Sequence, residues 1–258
     1  MDLKLTNKVA VVLAASKGLG RAIATTLSAE GAKVIIGSRD EKELSQTARE
    51  IQQLTGNEVI AIPVDVTNAK QMESFMGKAA ATFGGIDILL NNAGGPPFAQ
   101  FENFDEADWQ KAFELNLLSV ARASRLALPH LRKSGSGRII NVISVSVKSV
   151  LAGSVLSTSM RMGVIGLAKM MADEFAPYHI TVNNVAPGTM LTERITKTVP
   201  PGIDPEENLK QRAKNIPLGR IGKPEELAAI VAFLASEHAA YITGATIPVD
   251  GGASSAIY

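Results

Sequence analysis

Seven short apolar runs rich in β-branched residues recur along the 258-residue chain: KVAVVLA, AKVIIGS, EVIAIPV, IDILLNN, GRIINVIS, ITVNNVA and ATIPVDG. Each is continuous rather than alternating, the pattern of strands covered on both faces in a parallel sheet. The segments between them carry apolar residues at helical spacing, as at Ile23 and Leu27 and again at Phe113, Leu117 and Val120. Strand–helix alternation with right-handed crossovers predicts one α/β domain over residues 1–258, a doubly wound, seven-stranded parallel sheet flanked by helices. One stretch departs from the rhythm. Residues 189–216, TMLTERITKTVPPGIDPEENLKQRAKNI, read as an irregular insertion of the kind that forms a lid or binding loop.

Composition narrows the function more than the fold. A formal net charge of +1 gives no electrostatic case for nucleic acid or an anionic membrane as a partner. The chain has no cysteine, which excludes disulfides and thiolate metal sites and fits a reducing compartment. His130, His179 and His238 lie far apart with no carboxylate at metal-ligand spacing, so no metal site is expected. The N-terminal MDLKLTNKVAVVLAASKG has lysines before a short apolar run, as a signal peptide would. That run leads straight into a glycine turn and an amphipathic segment, so it reads as a buried first strand. No stretch reaches the roughly 20 apolar residues of a spanning helix, and a cytoplasmic location is expected.

The first strand ends in LAASKGLGRAIA, Leu13 to Ala24. Glycines at a strand-to-helix turn let the backbone approach a diphosphate, and the helix N-terminus supplies amides and a favourable dipole. Gly18 and Gly20 fit that purpose, with Ser16 offering a hydroxyl. The spacing is not GxGxxG, and a plain tight turn reads equally well. The second strand ends in GSRDEKEL, where a site for NAD usually places an acid for the ribose hydroxyls. Ser38 and Arg39 stand there instead. A guanidinium suits a 2′-phosphate, and Lys17 in the glycine turn shares that side, which favours NADP over NAD. The alternative is two solvated surface cations.

Further stretches point the same way: ASKGLG, DVT (Asp65–Thr67), NNAG (Asn91–Gly94), LNLLS (Leu115–Ser119), GRIINVIS, APYHITVNNVAPGTMLT and PLGRIGKPEELAAIVAFLAS, then YITGATIPVDGG. In this order, over nearly the whole chain, they resemble the short-chain dehydrogenases/reductases, especially the 3-oxoacyl-(acyl-carrier-protein) reductase-like branch. The resemblance implies a Rossmann-type fold and a nicotinamide cofactor. It assigns Ser16, Lys17, Gly18, Leu19 and Gly20 to the dinucleotide turn, and Asp65 and Val66 to the adenine. Asn92, Ala93 and Gly94 would line the ribose, and Pro187, Gly188 and Thr192 would meet the nicotinamide. For NNAG, strand termination by Asx-type hydrogen bonds is a second reading, compatible with the first. Asn116 matches the family's water-holding asparagine and Ser144 its carbonyl-orienting serine, with Ser146 as a rival in a shifted register.

The family's proton-donating tyrosine and its partner lysine do not appear. Their positions carry Ser157 and Arg161, within VLSTSMRMG. The Thr-Gly that opens the family's glycine turn is Leu13-Ala14. A serine hydroxyl is less acidic and shorter than a phenol, and an arginine gives up its proton poorly. Its fixed charge still suits ribose hydroxyls or a developing alkoxide. Ser157 and Ser159 also read as a capped, solvated helix start. The resulting expectation is an NADP(H)-dependent oxidoreductase of a carbonyl or alcohol, with catalytic residues Asn116, Ser144, Ser157 and Arg161. The alternatives are a catalytically inactive nucleotide-binding or regulatory protein, or a dehydration or isomerisation that needs no phenol. Tyr258 from a neighbouring chain is a further source of a phenol. Val145, Phe98, Met190 and Leu191 are expected to wall a pocket for a small, partly apolar substrate. The helix from Val164 to Ala172 is apolar on more than one face, which with the resemblance implies a homodimer or homotetramer.

Overall fold

The computed structural model describes residues 1–197, 199 and 202–255. Strands β1 (Val9–Leu13), β2 (Lys33–Ser38), β3 (Val59–Pro63), β4 (Ile88–Asn91), β5 (Arg138–Val142), β6 (Thr181–Pro187) and β7 (Thr246–Val249) form one sheet. Its order is β3-β2-β1-β4-β5-β6-β7, and every neighbouring pair runs parallel. Every residue of β1, β4, β5 and β6 is buried, whereas the edge strands β3 and β7 are only partly covered. Two of the three prolines in the strands fit the same logic, while the third, Pro187, closes β6. Pro63 and Pro248 sit in the edge strands, where a missing N–H costs least.

Helices α1 (Gly18–Ala29), α2 (Glu41–Thr55), α3 (Ala69–Phe83), α4 (Glu106–Phe113), α5 (Ser119–Ser134), α6 (Val155–Phe175) and α9 (Pro224–Ala235) cover the two faces of the sheet. One core layer joins Ile23, Leu27, Val34, Ile36, Leu227 and Val231. The layer on the other face joins Val11, Ile35, Phe75, Leu89, Ala127, Ile139 and Phe175. The stretch 189–216 is more regular than its sequence pattern implies. Its described residues include two short helices, α7 (Glu193–Lys197) and α8 (Pro205–Lys214), the second capped by Asp204 and opened by Pro205.

Two features bear directly on what the sheet presents at its carboxyl edge. The chain reverses its winding direction between β1 and β4, and the ends of these strands part there to leave a crevice. An amide ladder also ties the strands across this region. Asn91 donates to Asn141 at 2.9 Å, Asn141 to Asn184 at 2.8 Å, and Asn184 to the Thr246 hydroxyl at 3.1 Å. Three buried amides in an apolar sheet would each cost stability unpaired, and pairing them fixes the register of β4 to β7.

Candidate active site

A groove of about 490 Å³ opens over the crevice. It is walled by Ser16, Lys17, Gly18, Leu19, Ser38, Arg39, Asp65, Val66, Asn92, Ala93, Gly94, Ser144, Ser157, Arg161, Pro187, Gly188 and Thr192. The candidate residues, spread over 177 positions from Ser16 to Thr192, are thus brought to one surface; Asn116 and Gly20 lie just off it.

At one end the groove meets the turn between β1 and α1. Gly18 takes a left-handed backbone at φ +55°. Gly20 differs from its expected part. It is buried inside α1, where a Cβ would come within 2.3 Å of the Ala14 carbonyl, so it permits helix–strand packing rather than phosphate approach. Ala14 adopts φ +49°, a left-handed conformation that costs a residue with a Cβ about 1–2 kcal/mol. The amide of Asn92 ties this turn to β4 by donating to the Ala14 carbonyl at 3.2 Å.

Glu43 is the residue that the sequence reading missed. The first turn of α2 is capped by Asp40, whose carboxylate accepts from the Glu43 amide. This aims the Glu43 side chain at the glycine turn, where it accepts from Ser16 at 2.9 Å and pairs with Lys17 at 3.0 Å. The Ser38 hydroxyl donates to that of Ser16 at 3.2 Å. The hydrogen bond from Lys17, helped by that from Ser16, lowers the Glu43 pKa, and the bond to Glu43 raises that of Lys17. Lys17 thus meets a carboxylate at the turn, which offsets its charge there. Arg39 lines the groove without a protein ion pair among the described residues. The D-x-x-E spacing of Asp40 and Glu43, a helix-start signature, was the available signal.

Further along, Asp65 accepts from the Thr67 amide at 2.9 Å and the Thr67 hydroxyl at 2.7 Å. Burial works against its charge, but these bonds and the Arg39 charge outweigh it and lower its pKa.

The other end of the groove is built by β5, α6 and a wide turn after α4. Ser144 lies two residues beyond β5 and caps the short turn Val145–Val147, its hydroxyl accepting from the Ser146 amide at 3.2 Å. The Ser146 hydroxyl is buried off the groove, so Ser144 is the serine that faces it. Ser154 precedes α6, which places Ser157 inside the helix and buried; a solvated cap does not account for it. One turn later on the same face lies Arg161, also buried. Its Nε donates to Ser157 Oγ at 3.2 Å and its Nη1 to the Val142 carbonyl at 2.8 Å. Burial first, and the charge of Arg194 second, hold its pKa down at about 10, so it remains a cation near neutral pH.

Asn116 sits in a π-helical turn, Glu114–Leu118, between α4 and α5. The helical spacing of that segment gave no sign of this widening. Gly163 of α6 packs so closely on Leu117 that a Cβ there would come within 2.9 Å of its side chain. Asn116 donates to the Gly94 carbonyl at 2.9 Å. Its carbonyl oxygen and that of Asn91 have no protein donor, and both residues line a void of about 10 Å³ that also touches Arg161. That volume is close to the least that accommodates one water.

The expected substrate walls fare unevenly. Phe98 lines the groove, but Val145, Met190 and Leu191 do not. Met190 is buried in the core, its chain bridged to Gly222. Arg194 and Gly95, not anticipated, stand on the wall instead. No tyrosine among the described residues lines the groove; Tyr178 and Tyr241 are exposed elsewhere, and Tyr258 lies outside the described residues. No group of three or more potential metal ligands occurs among the described residues.

A bound nicotinamide dinucleotide fits this surface on structural grounds. The groove starts at a helix N-terminus whose Lys17 cap leaves the first amides without a side-chain partner, and it ends at paired hydroxyls. Known proteins agree. A family model described as "Enoyl-(Acyl carrier protein) reductase" matches residues 13–254. A 3-oxoacyl-[acyl-carrier-protein] reductase of Vibrio cholerae is 40% identical over 250 residues, 97% of this chain and 98% of that protein. The 2,5-dichloro-2,5-cyclohexadiene-1,4-diol dehydrogenase of Sphingobium indicum is 36% identical over 252 residues, 98% of each chain. The structure of L-sorbose reductase from Gluconobacter frateurii, complexed with NADPH and L-sorbose, superposes with a TM-score of 0.96 at 31% identity, covering 100% of both chains. With this coverage, the chain belongs to the short-chain dehydrogenase/reductase family of oxidoreductases.

Proposed function

We propose that the protein is an NADP(H)-dependent oxidoreductase that reduces a carbonyl, or oxidises the corresponding alcohol, with Ser144, Ser157 and Arg161 in place of a tyrosine-based site. The observation that carries this reading is the Arg161–Ser157 hydrogen bond beside Ser144 on the wall of a dinucleotide-sized groove. When bound, the cofactor supplies the hydride. Because Ser157 Oγ accepts from Arg161, its own proton is left to point into the groove toward a carbonyl oxygen. Ser144 Oγ accepts from the Ser146 amide and has a proton to donate in the same way. Two hydroxyl donors with a guanidinium behind one of them stabilise negative charge developing on that oxygen. Asn116 positions rather than reacts, through its bond to Gly94 and its place on the small void.

The preference for NADP is supported by Arg39 and by the lack of an acid at Ser38, while the Glu43–Lys17 pair works against it. Solved relatives point the same way, as with the NADPH complex of L-sorbose reductase. The same reading places Ser16, Lys17, Gly18, Leu19, Ser38, Arg39, Asp65, Val66, Asn92, Ala93, Gly94, Pro187, Gly188 and Thr192 around the cofactor. Exposed Met162 and Met170 on the outer side of α6 support a homo-oligomer. A location in the cytoplasm is part of the same proposal; no helix of the described residues is long and apolar enough to cross a membrane.

Titration of NADPH and NADH by fluorescence, followed by a carbonyl panel read as loss of NADPH absorbance, tests the reading. Tighter binding of NADPH than of NADH, with turnover of at least one carbonyl, is the expected result. No binding of either nucleotide at millimolar concentration overturns it. Binding of nucleotide with no turnover across the panel favours instead the inactive, nucleotide-binding alternative that the missing phenol raises.

A further inference from the structure

Resting on that reading, we propose that the substrate is an oxo acid, whose carboxylate is held by Arg161 and Arg194 beside the two serine hydroxyls. Both arginines line the same groove. Arg161 is buried, and only its Nε and Nη1 donate to protein acceptors among the described residues. The rest of its guanidinium has no protein acceptor among the described residues. Arg194, near the start of α7, is held less firmly. Its Nη1 and Nη2 each donate over a long 3.2 Å, to the carbonyls of Gly95 and Pro96, and its guanidinium stands 6.0 Å from the Phe98 ring centre.

Neither arginine forms an ion pair with a carboxylate among the described residues. A buried cation without a counter-charge is costly, and a second cation nearby increases that cost. The like charge of Arg194 adds to burial in lowering the Arg161 pKa. An anion between them relieves both terms at once, and a planar carboxylate matches the guanidinium fork. Phe98, half exposed at the same wall, offers apolar surface for the remainder of the molecule. In the reaction the carbonyl carbon gains a hydride from the reduced cofactor, which is oxidised by two electrons, its oxygen gains a proton from solvent water relayed through the Ser157 hydroxyl, and the carboxylate is unchanged.

The test uses matched pairs: benzoylformate with its methyl ester, and acetoacetate with its methyl ester. Binding to the protein saturated with NADP⁺ is measured by calorimetry, and turnover with NADPH by absorbance. The expected result is that at least one carboxylate binds about tenfold or more tightly than its ester, a charge-assisted hydrogen bond's contribution. That ratio is expected to fall toward one in Arg194→Met, an exposed position whose replacement leaves the core intact. Equal affinity of acid and ester in both pairs overturns the proposal, even where turnover supports the reductase reading. A persisting carboxylate preference together with no turnover across the carbonyl panel keeps the anion site and favours the inactive, nucleotide-binding alternative over the reductase reading. A preference unchanged in Arg194→Met overturns the assignment to Arg194.

Discussion

The two ends of the groove are built on different principles. The cofactor end is backbone architecture: a glycine turn, a helix start and strand termini, with side chains that mostly bond one another, as in Ser38–Ser16–Glu43–Lys17. The proposed reaction end is a small set of polar side chains: Ser144, half-buried on the groove, and the buried Ser157, Arg161 and Asn116, the last with its carbonyl oxygen unpartnered beside a small void. Surfaces made of backbone tolerate sequence change, because many side chains leave a turn in place. A cluster of hydroxyls and one guanidinium does not, because each atom has one function. On the proposed reading, the chain keeps the family's turn in altered form, with Ala14 for glycine, while Ser157 and Arg161 give its reaction end a different chemistry.

The largest expected effect falls on the reaction end. Arg161→Met is expected to lower kcat/KM for carbonyl reduction by about 10²–10³, the usual loss when a preorganised electrostatic donor is removed. Arg161→Lys should recover part of it, since the charge returns without the fork. Steady-state NADPH oxidation reads both, and a loss below threefold in Arg161→Met would erase the distinction between the two ends. At the cofactor end, Arg39→Ala is expected to weaken NADPH by about ten- to a hundredfold while NADH changes little, given the strength of charged hydrogen bonds. Glu43→Gln should act in the opposite direction and more weakly, raising the NADPH-to-NADH affinity ratio by releasing Lys17 and Ser16. If both variants shift the two nucleotides alike, the discriminating role of this end is wrong.

A smaller effect probes the altered turn. Ala14→Gly is expected to stabilise the fold by about 1 kcal/mol, because glycine takes a positive φ without a Cβ clash. For a domain of this size that is a rise in Tm of about 2–4 °C, read by differential scanning calorimetry. The smallest effect is a control away from the groove. Hydrogen bonds from Arg220 and the Lys223 amide bring the Glu226 pKa down to about 2. A folded value below the unfolded one, about 4.3, gives stability that is present above pH 4.3 and is lost as pH falls toward 2. Glu226→Gln should flatten the acid limb of a stability–pH profile slightly while leaving nucleotide binding unchanged.

How much of this was legible in the sequence follows from the same contrast. Strands β1, β4, β5 and β6 stand out because full burial demands unbroken apolar runs, and the crevice follows from their order. Motifs such as NNAG and PGTMLT mark strand termini, and residues of both wall the groove. The Glu43–Lys17 pair was not legible, since it depends on how α2 leans over the turn, although the Asp40–Glu43 spacing marked the helix start. The π turn at Asn116 was hidden because one extra residue in a helix leaves the apolar spacing almost unchanged. The sequence placed Ser157 and Arg161 opposite the family's tyrosine and lysine. Only the fold distinguishes a buried, bonded pair from a solvated cap.

The central claim is that this pair performs the work done elsewhere by a phenol and an amine. Single-turnover oxidation of NADPH by saturating carbonyl, compared between the unaltered protein and Ser157→Ala, tests it most directly. The account expects the hydride-transfer rate to drop by about 10–10³-fold with the NADPH Kd unchanged, the scale of a lost hydroxyl donor or general acid. An unchanged rate in Ser157→Ala, or an inert protein that gains activity only as Ser157→Tyr with Arg161→Lys, would contradict it.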